Sequence, residues 1–410
     1  MWTPRLAFTL LLWWPLYFHL HASATILDNG QPRRDPYPGQ AQRIDLDESW
    51  RRYGADAPEI AYKGRWDSKH ISWWSAPGLR LQFSGGKLAI TFGPNTDEGT
   101  LVAYRIDSLD WQFSNVTADS TYQFVGPWSD LDEAHLAETK VFEMRVQIAG
   151  VAVAGDALLT VPPTFPKKVE IIGGSLASGQ FATYETLSSW AHQYVAGLGN
   201  VEYTITAYPG ACLVDNQCYG GVHGMTWYWH RASDPGFRAA QMYGPEPEEF
   251  DVGAGQPADL VLIQMGGNDH RPPNEIAAPD FYHAYIDMIE DVHRTWPHAT
   301  VLIVVLSNDD QGQWGLFHRE GTKYVQDMLY EEEHKRVHEY FKDRGFVYYF
   351  PTRGILQHND IAPKDHPTDY GHAKVASHLL QWTRLVLGWQ LEPTGEVQHG
   401  TLFWNDQQEY

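Results

Sequence analysis

The chain has 410 residues, 43% of them hydrophobic, and a formal net charge of −21 at pH 7. That length argues for two domains rather than one, and so strong an acidic excess argues against nucleic acid and anionic membrane surfaces as partners. The 17 Trp and 22 Tyr offer flat, hydrogen-bonding faces that suit sugar rings, although many of them must serve the core.

At the N-terminus Arg5 precedes an apolar run from Leu6 to Leu20, broken by Pro15 and His19, and Ala22-Ser23-Ala24 supplies small residues at cleavage offsets. This pattern predicts a signal peptide over residues 1–24 rather than a membrane span, and so a secreted, extracellular protein. Residues 25–42, rich in Pro, Gly and Arg, read as a loose leader. The two cysteines, Cys212 and Cys218, are expected to pair in an oxidising compartment and to close a tight loop, with a gain on the order of 2–3 kcal/mol. Without a matching histidine spacing they make no zinc site, and neither metal nor cofactor is expected. Asn115-Val116-Thr117 is a glycosylation sequon.

From residue 43 to 160 short strand-like runs follow one another: Leu79 to Phe83, Lys87 to Phe92, Leu101 to Asp107, Trp111 to Phe113, and an alternating stretch from Val141 to Ile148. Gly, Pro and Asn punctuate the gaps, which predicts an all-β sandwich of jelly-roll type. Trp73-Trp74 could offer a sugar platform or belong to the core. Residues 161–167 form a linker stiffened by Pro162, Pro163 and Pro166.

Beyond the linker, over 168–390, apolar runs alternate with helical patterns. The runs are Val169–Ile172, Val201–Ala207, Leu260–Met265, Thr300–Leu306 and Phe346–Phe350; helices are predicted near 183–196, 280–295, 323–343 and 370–387. Continuous Val/Ile/Leu runs fit strands of a parallel sheet covered on both faces, so this half is α/β and doubly wound, a three-layer, flavodoxin-like arrangement. The tail, 391–410, is polar and receives no structure.

Four points then fall at strand ends or before a helix. Ser175 follows the first run in Gly173-Gly174-Ser175, Gly210 follows the second, Gly266-Gly267-Asn268-Asp269 follows the third, and His366 stands before the last helix. Ester cleavage by a serine needs a histidine base and donors for the tetrahedral oxyanion. Ser175 can supply the hydroxyl, His366 the base, and the Ser175 and Gly210 N–H groups with the Asn268 amide the oxyanion hole. Each block also reads alone as an ordinary turn, and His270 and His372 compete with His366. The aromatic run 224–230 puts Trp227 and Trp229 forward for stacking on a sugar.

Ser175, Gly210, Asn268 and His366, in this order, resemble the SGNH branch of the GDSL hydrolases. With a β-domain ahead of the hydrolase and Gly64-Arg65 at a similar turn, the layout is similar to carbohydrate esterase family 2. The resemblance implies a serine esterase, most often one removing acetyl groups from wall polysaccharides such as xylan or mannan; the expected partner is an acetylated polysaccharide or oligosaccharide, and the expected state a monomer. Two departures stand out. The nucleophile block, usually Gly-Asp-Ser, has Gly174 in the middle. The acid that usually lies two or three residues before the histidine is replaced by Lys364 or Pro363, which leaves Asp365, Asp360 or a Ser–His dyad held by a main-chain carbonyl. A lipase-type esterase and a catalytically weak carbohydrate-binding protein remain as alternatives.

Overall fold

Val, Ile and Leu residues that alternate between two buried faces build the α/β half of the molecule, which a computed structural model describes together with the β half. The described residues are 27–28, 31–32, 41–107, 109–129, 134–141, 145–219, 221–305, 317–320, 323–326, 330–357, 360–361 and 366–392. The expected signal segment, 1–24, most of the leader and nearly all of the tail lie outside them.

The β half is a sandwich of antiparallel strands. β1 (Gln42–Ile44), β2 (Trp50–Gly54), β5 (Leu88–Phe92), β8 (Ser120–Val125) and β10 (Ile148–Ala154) form one sheet in the order β1-β8-β5-β10-β2. The facing sheet holds β3 (Ala61–Trp66), β4 (Ser72–Ser84), β6 (Thr100–Ile106), β7 (Gln112–Val116) and β9 (Ala134–Val141), with β11 (Leu159–Thr160) on β4. Leu79, Leu81, Phe83, Ile90, Phe92, Phe124 and Val151 fill the space between, each full burial contributing about 1.5–3 kcal/mol. The alternating stretch 141–148 is not one strand. Val141 ends β9 and Ile148 begins β10. Between them, Val146 N–H donates to the Ser72 hydroxyl and Gln147 N–H to the Thr96 hydroxyl, while their carbonyls accept from Ser72 N–H and Gly93 N–H, so among the described residues only an isolated bridge, Ile71 to Gln147, forms there.

In the α/β half, β12 (Lys167–Gly173), β13 (Val201–Ala207), β14 (Leu260–Gln264), β15 (Thr300–Val305) and β16 (Val347–Pro351) pair in parallel in the order β13-β12-β14-β15-β16. Counted along the chain this is 2-1-3-4-5, the flavodoxin-like order, whose switch point lies between β12 and β14. Ile172, Ile263 and Ile303 pack on one face against α6 (Ala278–Thr295) and α7 (Glu331–Phe341). Ile171, Leu262 and Leu302 pack on the other against α2 (Trp190–Leu198) and α8 (Asp369–Val386). Ser189 and Thr368 cap the last two helices, accepting from His192 N–H and Gly371 N–H, which fixes where they start. The helix predicted from 183 therefore begins only at Trp190, after a single 3₁₀ turn, Glu185–Ser188. Among the described residues of the helix predicted over 323–343, Glu331–Phe341 is α-helical, and Lys323–Gln326 instead pairs with Phe317–Glu320.

The Pro-rich stretch 161–166 has no regular structure, yet the halves interlock. Ile71, Trp73 and Trp74 reach from β4 and its entry into the α/β core. Ser75 pairs with Ile205 across the two sheets. Arg65, from β3, is wholly buried in the other half. Its Nη1 donates to the carbonyls of Trp229 (2.5 Å) and Arg231 (2.9 Å), and its Nη2 lies 3.7 Å from Glu170 Oε1 on β12. Burial pushes its pKa down to about 10 against the opposing pull of Glu170, so it stays charged at neutral pH. Glu202 on β13 likewise receives Lys63 (2.6 Å) and Arg80 (2.8 Å) from the sandwich.

Removing Arg65 would leave Glu170 buried without its cation. Arg65→Ala is expected to cost about 3–5 kcal/mol in urea unfolding, and Glu170→Gln added to it to restore part of that loss.

Candidate active site

At the switch point, β12 ends at Gly173 and the chain turns through Gly174 into α1 (Ser175–Ser178). Ser175 opens that helix, half-buried, at the carboxyl end of the first parallel strand. A Cβ on Gly174 would lie 3.2 Å from Asn268 Nδ2, 3.8 Å from the Ala211 carbonyl oxygen and 3.9 Å from that of Tyr208. Glycine thus lets the three segments after β12, β13 and β14 close on one another.

The second segment turns at Gly210, whose φ of +82° suits glycine. The third is α5 (Gly267–His270), which carries Asn268 and Asp269. Asn268 Nδ2 donates to the Ala211 carbonyl at 2.9 Å, which occupies one of its two N–H donors. Asp269, fully buried, accepts from Leu213 N–H (2.9 Å) and Val214 N–H (3.0 Å). Burial pushes its carboxyl up to about 6, although the backbone N–H groups favour the charged form. The two adjacent residues therefore clamp the loop that follows Gly210. Cys212 and Cys218 close the same loop as a disulfide, with Cα atoms 5.9 Å apart. Asn274 Nδ2 braces α5 by donating to the Asn268 carbonyl at 2.8 Å.

His366 is buried on the loop before α8. The edge-on ring of Phe181 meets it, centroids 5.0 Å apart, and Thr183 N–H donates to Asp369 Oδ1 at 2.9 Å. Phe181 and Thr183 belong to the segment just after α1, so the histidine loop is fastened to the chain that leaves Ser175. Asp360 has another task. Its carboxylate accepts from Lys374 Nζ (2.7 Å) and Gln357 N–H (2.7 Å), and its carbonyl from Thr368 N–H. Asp365 lies outside the described residues.

The competing histidines are otherwise engaged. His372 Nδ1 accepts from Trp190 N–H at 3.1 Å; burial, and then the charge of His366, push its pKa down to about 3. His270 packs edge-on against Tyr330.

Two substrate-binding expectations are corrected. Trp229 is completely buried, edge-on to Trp296 in the core, so it has no face for a sugar. Trp227 stacks on His223 (4.1 Å) and carries the Arg231 guanidinium 4.2 Å from its ring, so its ring is already covered. Trp73 and Trp74 are both buried, their indole N–H groups donating to Asp67 and to the Ala232 carbonyl. Asn115 is half-buried on β7, its amide donating to the Gly99 carbonyl. Among the described residues no group of three or more His, Cys, Asp or Glu could hold a metal ion, and no helix is long and apolar enough to cross a membrane.

Asp269 and Phe181 carry contacts that sequence reasoning did not assign. The Asp269 signal was present, since it ends the Gly-Gly-Asn-Asp block. Nothing local marked Phe181.

This architecture, an SGNH hydrolase fold preceded by an antiparallel sandwich, agrees with comparisons to known proteins. Residues 171–374 match the model of the GDSL-like lipase/acylhydrolase family. No curated protein matches the chain. Among solved structures, a family two carbohydrate esterase from Cellvibrio japonicus is 15% identical, over 83% of this chain and 99% of that one, with a TM-score of 0.64. A family two carbohydrate esterase from Clostridium thermocellum, in complex with cellohexaose, is 20% identical over 81% and 100%, TM-score 0.61. An acetyl xylan esterase from the rumen bacterium Butyrivibrio proteoclasticus is 14% identical over 86% and 100%, TM-score 0.61.

The buried neutral histidines set an acid limit. His372 is held down to about 3, and His334, buried beside the Tyr330 carbonyl, to about 4. The unfolded chain takes up protons at about pH 6.5 that the folded protein refuses. Stability from these groups is therefore complete above that pH and is lost as the pH falls toward the folded values, by about 1.4 kcal/mol per pH unit for each. Urea unfolding at pH 7, 6 and 5 should show this slope, and His372→Asn, which keeps an acceptor for Trp190 N–H, should reduce it by one proton.

Proposed function

We propose that this chain is a secreted serine esterase that removes acetyl groups from plant-wall polysaccharides of the xylan or mannan type. The observation that carries the reading is the closure of three strand-end segments at the switch point, with the Asn268 amide against the Ser175 turn and the Gly210 loop. The match to an acylhydrolase family over residues 171–374 and the likeness to carbohydrate esterases support it.

The chemistry follows from the groups. Ser175 Oγ attacks the acetyl carbonyl while His366 takes its proton. The negative oxygen accepts hydrogen bonds from Ser175 N–H, Gly210 N–H and the second N–H of Asn268 Nδ2. His366 then returns the proton to the departing sugar oxygen, leaving an acetyl-enzyme. Water, deprotonated by His366, attacks that ester and releases acetate and Ser175. Asp365 or a main-chain carbonyl orients His366 in this scheme; Asp360 is committed to Lys374.

Acetate release from acetylated xylan and acetylated glucomannan tests the reading. Ser175→Ala should reduce it on the order of 10⁶-fold. Asn268→Ala should lower kcat roughly 10²–10³-fold with a smaller change in KM. Hydrolysis of long-chain acyl esters in preference to these glycans would move the assignment to a lipase-type esterase.

A further inference from the structure

A general base works only if its ring is held at the angle the proton transfer needs. Asp360 is committed to Lys374, and the ring set against the His366 imidazole is that of Phe181, with planes at 86° and centroids 5.0 Å apart. A phenyl ring gives no conventional hydrogen bond, so what it can fix is the tilt and place of the imidazole.

Phe181 is itself held against its own preference. Its φ of +70° lies in the left-handed region, which bulky residues rarely enter and keep only where their surroundings over-determine it. Three fastenings do so here. Thr186 Oγ1 donates to the Ser178 carbonyl at 2.8 Å, which ties the segment to α1, and a Cβ on Gly179 would collide with the Glu185 carbonyl, so the chain doubles back tightly there. Thr183 N–H on Asp369 ties it to the start of α8. The third fastening comes from the sandwich. Tyr184 lies flat on Phe113 of β7, centroids 4.8 Å apart and planes 8° apart, and with Leu187 it joins Leu101, Ala103 and Trp111 in a small core of its own. Stacked aromatic pairs of this kind hold each other beyond the area they bury.

We propose that Phe181 is a positioning residue for His366, and that the sandwich holds it in place through the Phe113–Tyr184 stack. The role of His366 as the base rests on the esterase reading. The β half then serves the reaction without touching substrate: β6 and β7 brace the segment that leaves the nucleophile helix, and that segment sets the imidazole.

Acetate release from acetylated xylan by the full chain, with NMR of ¹⁵N-labelled histidines, tests it; the His366 ring resonances are identified by their loss in His366→Asn. Phe181→Gly removes the ring and relieves the backbone, since glycine adopts a positive φ at no steric cost. Its kcat should fall roughly 10–10²-fold with KM unchanged, and the His366 resonances should shift. Phe181→Tyr, which keeps the ring, should recover most of kcat and the wild-type resonances. Phe113→Leu, which keeps apolar volume but not the stack, should move the same resonances to a smaller degree. Wild-type kcat in Phe181→Gly, or a loss carried by KM with the His366 resonances in place, overturns the proposal. His366 resonances indifferent to Phe113→Leu overturn the part assigned to the sandwich. The resonances are read without substrate, so a wild type that releases no acetate removes the esterase reading while the hold of Phe181 on His366 is still decided.

Discussion

One pair of neighbouring residues holds the site together. Asn268 and Asp269 sit at the end of the third parallel strand and reach back to the loop after the second, the amide to the Ala211 carbonyl and the carboxylate to two backbone N–H groups. A buried carboxylate that accepts backbone N–H groups has no alternative partner inside a protein, so the loop has one position. Gly174 then allows the nucleophile turn to close on the same amide. A donor meant for developing charge must be fixed before the reaction begins; in the proposed mechanism this clamp holds the Asn268 amide in place.

The sandwich is part of the same construction. Its Arg65 ends on carbonyls at residues 229 and 231, and its Trp73 and Trp74 complete a core that also contains Met225, Trp229 and Phe281. The Arg65 charge is stranded unless Glu170, on the strand that leads to Ser175, stays beside it. Domain orientation and the position of the first parallel strand are therefore coupled through a buried ion pair.

Much of this could be read from the sequence because the controlling signals are local. The parallel strands announce themselves as apolar runs, and Gly-Gly-Ser, Gly-Gly-Asn-Asp and the histidine loop stand at their ends, so the switch point organised the candidate site before any contact was known. What could not be read depends on tertiary neighbours. Trp229 and Trp227 have the composition of a sugar platform, but Trp296 encloses one and His223 with Arg231 covers the other. The alternation from Val141 to Ile148 has the period of a strand, yet the N–H groups of Val146 and Gln147 go to the hydroxyls of Ser72 and Thr96 rather than to a neighbouring strand. Asp360 lies close in sequence to His366, but Lys374, one turn into the last helix, claims its carboxylate.

The central claim is that Ser175 is an activated nucleophile served by His366. Treatment with an organophosphorus reagent followed by peptide mass spectrometry tests it most directly. A single adduct on the peptide containing Ser175, strongly reduced in His366→Ala, is the predicted result. A folded, unlabelled Ser175, or labelling that is indifferent to the loss of His366, would contradict it.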